Sequence, residues 1–274
     1  MLIYFRAVSA YEQLLSATVD FLEQEKSRGQ RFVSVDWEKV EALSRPIEPP
    51  AEMSFAPSPE VAEKEISTST GTMAELRALA LVCEQCPKLA STRKQVVFGV
   101  GNEAADLMFV GEAPGADEDA QGEPFVGAAG GLLTKMLKAM GLAREDVYIA
   151  NILKCRPDTP NQRSGNRAPT VKEMATCSPW LHRQIDFIQP KVIVALGKVA
   201  VGGLLEMENA PITKMRGQWQ TYRGIPLMPT FHPAYLLHQE SMQNKRKVWQ
   251  DLLAVMEKTG LSISEKQRGF FLKH

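Results

Sequence analysis

The chain has 274 residues, 44% of them hydrophobic and 23% charged, which is enough apolar material for a sizeable core; no apolar run is long enough to span a bilayer. Its 32 Lys and Arg balance 32 Asp and Glu, so any grip on a polyanion must come from local clusters, not from a net charge. The opening residues lack a basic region ahead of a long apolar stretch, and Glu12 and Asp20 soon interrupt the pattern, so a cytoplasmic, intracellular address is expected and four cysteines are no disulfide framework.

Residues 1–29 place apolar side chains at Phe5, Val8, Leu14, Leu15, Val19, Phe21 and Leu22 with polar residues between, a helical pattern closing at Gly29. A shorter helical piece follows over 37–43. Between 45 and 72 the chain is rich in Pro, Ser, Thr and Glu, with prolines at 46, 49, 50, 57 and 59, and reads as a linker. The expected organisation is an N-terminal helical extension (1–44), this linker (45–72), a main domain (73–262) and a tail (263–274).

A helix over 73–82 leads to Cys83 and Cys86. Strand and helix signals then alternate: strand 107–110, helix 131–140, strand 147–152, helix 171–187, strand 192–196, helix 198–205, strand 227–230 and a closing helix over 245–258. Such alternation predicts an α/β fold, a three-layer α/β/α sandwich with a short central parallel sheet. No internal repeat at a fixed period is present.

The stretch from Gly111 to Gly127 follows the first strand directly, so its Gly-, Pro- and acid-rich backbone lies at the carboxyl end of the sheet, where open α/β folds bind ligands. Its glycines allow close approach of backbone N–H groups, Glu112 can orient water, and Phe125 offers a flat face to a flat ring. No phosphate-loop lysine follows, which argues against a nucleotide triphosphatase. Cys83 and Cys86, with Cys155 and Cys177, form a tetrad able to hold zinc or an iron-sulfur cluster; spacing alone does not separate these, or exclude buried unliganded thiols. Lys154, Arg156, Arg163, Arg167 and Lys172 cluster in one segment, as phosphate contacts or as a solvated face.

Taken in order, the pair Cys83-Glu-Gln-Cys86, the loop segments Gly111-Glu-Ala-Pro-Gly115 and Pro124-Phe-Val-Gly127, the strand end Asn151-Ile-Leu-Lys-Cys-Arg-Pro157 and the run Phe231-His-Pro-Ala-Tyr-Leu-Leu237 resemble the family 4 uracil-DNA glycosylases, which carry an iron-sulfur cluster. The resemblance implies a [4Fe-4S] cluster on Cys83, Cys86, Cys155 and Cys177. It implies a monofunctional enzyme that flips uracil out of DNA and hydrolyses its glycosidic bond with water, leaving an abasic site. Glu112 and His232 are then the catalytic candidates, with the imidazole donating to uracil O2 as charge develops. Ala113, Phe125 and Asn151 are the base-binding candidates: Phe125 stacks on the pyrimidine, while the Asn151 amide donates to O4 and accepts from N3–H. Arg156, Arg167, Tyr235 and Leu236 are the expected DNA contacts, with the run Tyr235-Leu-Leu237 as a wedge into the gap left by the flipped nucleotide or, equally, as the first buried turn of a helix. A bifunctional enzyme would need an activated lysine, and Lys154 is expected to contact phosphate instead.

Ala113 stands where better-known uracil glycosylases place an Asp, as is common in this family; the sequence departs from the family at Ala128 and His238, where basic residues are frequent, and an insertion around 158–164 lengthens one loop. These departures keep deaminated purines, hypoxanthine or xanthine, open as substrates. A catalytically altered member that binds damaged or single-stranded DNA is the alternative, and an electron-transfer protein is disfavoured by the lack of a flavin or nicotinamide fingerprint. The expected partner is DNA containing deaminated bases, met as a monomer in a nucleoid-associated setting. Gln267-Arg-Gly-Phe-Phe271 in the tail resembles short peptides that dock on the sliding clamp, unless its phenylalanines fold back onto the domain.

Overall fold

The apolar runs at 107–110 and 192–196 have no polar residue to face water, and they form the centre of a sheet covered on both sides. The structure, a computed structural model, describes residues 71–159, 166–207 and 209–272, all within the compact unit spanning 68–274. The helices expected over 1–29 and 37–43, the linker up to residue 70, and residues 160–165 of the lengthened loop lie outside the described residues. Among the described residues, no helix is long and apolar enough to cross a membrane.

In chain order the elements are α1 (Met73–Leu81), α2 (Pro87–Thr92), β1 (Val100–Gly101), β2 (Leu107–Gly111), α3 (Ala116–Gln121), α4 (Ala128–Met140), β3 (Tyr148–Asn151), α5 (Val171–Ile188), β4 (Val192–Leu196), α6 (Lys198–Leu205), α7 (Ile212–Met215), β5 (Gln220–Tyr222), β6 (Ile225–Thr230), α8 (Pro233–His238), α9 (Met242–Thr259) and α10 (Glu265–Arg268). Strand order is β1-β3-β2-β4-β6-β5. The four central strands run parallel, as expected, and the two short edge strands β1 and β5 add to them antiparallel.

One sheet face packs against α4 and α9: Leu107, Phe109, Ile149, Val192, Val194 and Met228 meet Leu133, Leu137, Trp249, Leu252 and Met256 in one cluster. Period-2 strands and period-3.6 helices make that contact without further instruction. On the other face α6 packs on β4 and β2, with α5 against α6.

Strand register, more than any loop, assembles the site. Gly111 pairs with Asn151 across β2 and β3, and Leu196 pairs with Thr230 across β4 and β6. The first residues beyond those strand ends, on both pairs, therefore emerge side by side at the carboxyl edge of the sheet.

Candidate active site and thiol cavity

Gly111, Phe125 and Asn151 meet at one point. A Cβ built on Gly111 would lie 2.4 Å from Asn151 Oδ1 and 2.6 Å from Phe125 Cζ, so the absence of a side chain at this strand end is what lets the amide and the ring share the space. Asn151 is 2% exposed and Phe125 6%. Ala113 stands half-buried two residues on, after Leu153 N–H has bonded to the Glu112 carbonyl at 3.1 Å.

Phe125 is held at φ 55°, a left-handed conformation that an aromatic residue adopts only when its surroundings impose it. Two groups do so. The Glu118 carboxylate accepts from Gly115 N, Val126 N and Gly127 N at 3.0–3.1 Å, closing the loop on itself across α3. On the far side Arg144 donates to Phe125 O at 3.0 Å and Pro124 O at 2.7 Å. Arg144 was not legible as a site residue, since it sits in an ordinary charged turn and touches the loop only in three dimensions. Among the loop's acids Asp119 is buried, accepting from Lys94 N at 2.9 Å.

His232 caps α8, its Nδ1 accepting from Ala234 N at 3.1 Å. An accepting Nδ1 leaves the proton of a neutral imidazole on Nε2. Burial pulls this imidazole from its ordinary 6.5 to about 4, the Glu118 charge opposing weakly, so the neutral donor is the form present at neutral pH. Its ring centroid lies 5.6 Å from that of Phe125, with the planes 30° apart. Gly197, at φ 91°, gives it room: a Cβ there would come within 2.9 Å of His232 Cβ.

A folded pKa below the unfolded one means that neutral His232 contributes stability at pH above about 6.5, and that this contribution is lost as pH falls from 6.5 towards 4. Thermal midpoints of wild type and His232→Gln measured across that window should converge as pH falls. A parallel decline in both would show that the imidazole is not the titrating group.

Glu112 is partly enclosed, and burial raises its carboxyl pKa against the opposing charge of Lys198. Lys198 opens α6 just past Gly197 and is a further cation beside the pocket that sequence reading passed over, because it reads as the solvated start of a helix.

Cys83, Cys86, Cys155 and Cys177 line one cavity, with Arg93 and Lys154 in its wall. The thiols lie close enough to perturb one another: burial first, then their mutual charge, raises Cys86, and Cys177 is pushed up to about 12. Arg93 Nη1 donates to Cys155 Sγ at 3.3 Å and Lys154 N to Cys177 Sγ at 3.2 Å. Among the described residues, no three His, Cys, Asp or Glu side chains are gathered closely enough to hold a single metal ion.

The residues expected near DNA sit in varied surroundings. Lys154, expected at a phosphate, is 2% exposed and faces inward. Leu236 is 5% exposed in the core, because Pro233 starts the helix and sets its phase; Tyr235 and Leu237 are the exposed members, at 41% and 46%. Arg167 forms a bidentate pair with Glu173 at 2.5 and 2.8 Å, and Arg156 donates to Asn166 at 2.8 Å, so both brace the base of the lengthened loop. In the tail, Phe270 packs tilted against Trp249 with ring centroids 5.3 Å apart, Gln267 donates to Ala139 O at 2.9 Å, and Trp249 Nε1 donates to Gln267 O at 2.6 Å, while Phe271 and Leu272 stay exposed.

A family model described as the uracil DNA glycosylase superfamily matches residues 98–253. The type-4 uracil-DNA glycosylase of Thermotoga maritima is 47% identical over 173 residues, covering 62% of this chain and 85% of the relative. That of Archaeoglobus fulgidus is 45% identical over 170 residues, 60% of this chain and 82% of the relative. A type-5 uracil-DNA glycosylase of Pyrobaculum aerophilum is 30% identical over 185 residues, 56% and 79% of the two chains. The matched span contains Glu112, Phe125, Asn151 and His232.

Proposed function

The chain belongs to the uracil-DNA glycosylase superfamily, and from that premise we propose that it removes uracil from DNA by hydrolysing the N-glycosidic bond, leaving an abasic site. The observation that carries the reading is the convergence of Phe125, Asn151 and His232 on the two glycines at the sheet edge. Asn151 supplies one acceptor and one donor, the complement of uracil N3–H and O4 and a mismatch to cytosine. Phe125 supplies the stacking face. Neutral His232, its proton on Nε2, donates to O2, where charge accumulates as the base departs. Glu112 positions the attacking water; with the sugar already cationic in a dissociative transition state, a strong base at the position of Ala113 is dispensable.

Replacing His232 with Ala should slow base release by about 100-fold while changing affinity little, since the donated bond strengthens only as charge develops. Equal losses in binding and rate would remove it from the chemistry. No lysine enters the pocket as an amine nucleophile in this reading. Borohydride should therefore trap no enzyme–DNA adduct from uracil-containing oligonucleotide, and strands should break only after alkali; a trapped adduct would contradict it.

The thiol cavity is proposed to hold a [4Fe-4S] cluster on Cys83, Cys86, Cys155 and Cys177. Four thiols around one cavity are the ligand set that such a cluster takes. Buried thiols with raised pKa values also need strong cationic compensation to ionise, which iron supplies, aided by the donors from Arg93 and Lys154. When bound, the cluster cross-links the α1–α2 connection, the segment after β3, and α5. Anaerobically purified protein should contain about four irons with acid-labile sulfide; stoichiometric zinc without sulfide would replace the assignment.

The division at residues 44, 72 and 262, the DNA-side roles of Arg156, Arg167 and Tyr235, and a nucleoid setting belong to the same proposal. Within the expected wedge run, the exposed Tyr235 and Leu237 carry the wedge role and the buried Leu236 does not. Clamp docking through Gln267–Phe271 would require the tail to release Trp249 and Ala139 first. Truncation after Glu265 is expected to lower the melting temperature; an unchanged melting temperature with lost clamp binding would favour docking.

A further inference from the structure

Lys154 has no place in the chemistry above, yet it is only 2% exposed, among the largest buried side chains of the domain. Its ammonium donates to Asn151 O at 2.9 Å and to Gln184 Oε1 at 2.6 Å, and lies 5.9 Å from the centre of the Phe98 ring. Both oxygens are neutral. Methionine would fill the same space without the cost of stripping water from an ammonium, so what the lysine adds is directed hydrogen bonding.

The direction matters because of where the sheet ends. Just past the end of β3, Ile152 N bonds to Gly111 O of β2. Alternation along a strand turns the Asn151 carbonyl the other way, towards β1. That edge strand is two residues long and pairs only with Tyr148 and Ile149, so it stops short of Asn151. The Lys154 ammonium takes the place of the missing strand. Gln184 anchors it in turn, its Nε2 donating to Phe98 O at 2.9 Å and to Tyr148 Oη at 3.0 Å. At the other end of the same residue, Lys154 N donates to Cys177 Sγ.

We propose that Lys154 is a positioning residue for base reading: by completing the hydrogen bonding of Asn151 from the unpaired side of β3, it fixes the amide against the base and ties that strand end to the thiol-bearing helix α5. The inference rests on Asn151 reading uracil and acts through it. It therefore makes a claim that a purely structural lysine does not, namely that the two residues are not independent.

A double-mutant cycle tests it, with single-turnover release of uracil from an oligonucleotide as the rate, binding to DNA bearing an abasic-site analogue as the control, and iron content measured for every protein. Lys154→Met should slow release between about tenfold and about 100-fold, as misplacement of a reading group does. Abasic-DNA affinity and iron should be unchanged, and adding Lys154→Met to Asn151→Ala should slow release by less than about twofold beyond Asn151→Ala alone. Multiplying losses overturn the positioning role and leave base reading by Asn151 intact; a silent Asn151→Ala overturns both. Should Lys154→Met lose its iron, Gln184→Leu, which removes the other anchor of the same ammonium, decides in the same cycle: shared losses with Asn151→Ala support the proposal, and independent losses overturn it.

Discussion

Asn151→Asp is expected to lower kcat/KM for uracil release by about 1,000-fold or more, roughly 4 kcal/mol of lost transition-state stabilisation. The substitution is isosteric, so Gly111 and Phe125 keep their places around it. It replaces the donor to O4 with an acceptor in a site 2% exposed, where no water can mediate between two facing oxygens. Repulsion is added to an unmade bond, which is why the loss should exceed that of Asn151→Ala. Single-turnover rates with the iron content of each preparation check it. An Asn151→Asp protein with wild-type rate and selectivity would mean that another group reads the base.

Gly111→Ala should be as damaging, although it adds a single methyl group and touches no reacting atom. That carbon would be driven to within 2.4 Å of Asn151 Oδ1 and 2.6 Å of Phe125 Cζ. Neither neighbour can retreat easily: Asn151 is held by β2 on one side and Lys154 on the other, and Phe125 by Arg144 and the Glu118 clamp. The expected result is folded protein with a normal iron complement and a uracil rate reduced by about 1,000-fold or more, since both the amide and the ring are displaced from the near-attack arrangement. Retained activity would show that the three residues do not form the base slot.

Both predictions concern residues that the sequence pointed to, and the reason is physical. Strands β2 and β4 are apolar along their whole length, so their limits, and the Gly-rich turns that follow, are marked by abrupt changes in composition. The motifs lie at those turns. Edge strands β1 and β5 gave no such signal: they are two and three residues long and only partly buried, and their existence depends on neighbours far away in sequence. Helix α3 was hidden by its acids, because Ala116–Gln121 between Gly115 and Gly122 reads as a polar loop until Glu118 is seen to turn back onto three backbone N–H groups.

The surroundings of several charged and apolar residues depend on tertiary context that the sequence does not carry. Lysines are nearly always solvated, so Lys154 was assigned to phosphate; only the three-dimensional position of Gln184 and the truncated edge strand give its ammonium partners inside. Leu236 and Leu237 are indistinguishable by type, and which of them faces the core is set by where Pro233 starts the helix. Arg167 pairs with Glu173 because Thr170 caps α5 and fixes that carboxylate in the first turn, a contact readable only once the helix start is known.

The central claim is that this pocket reads and releases uracil. Oligonucleotides carrying a single uracil, hypoxanthine, xanthine or cytosine, in single and double strands, should be incubated with iron-loaded full-length protein and the free base identified by mass spectrometry. Uracil should be released and cytosine not, with uracil faster than either deaminated purine. Iron-loaded protein that binds the uracil strand but frees no uracil, or that frees hypoxanthine or xanthine in preference, would contradict the account.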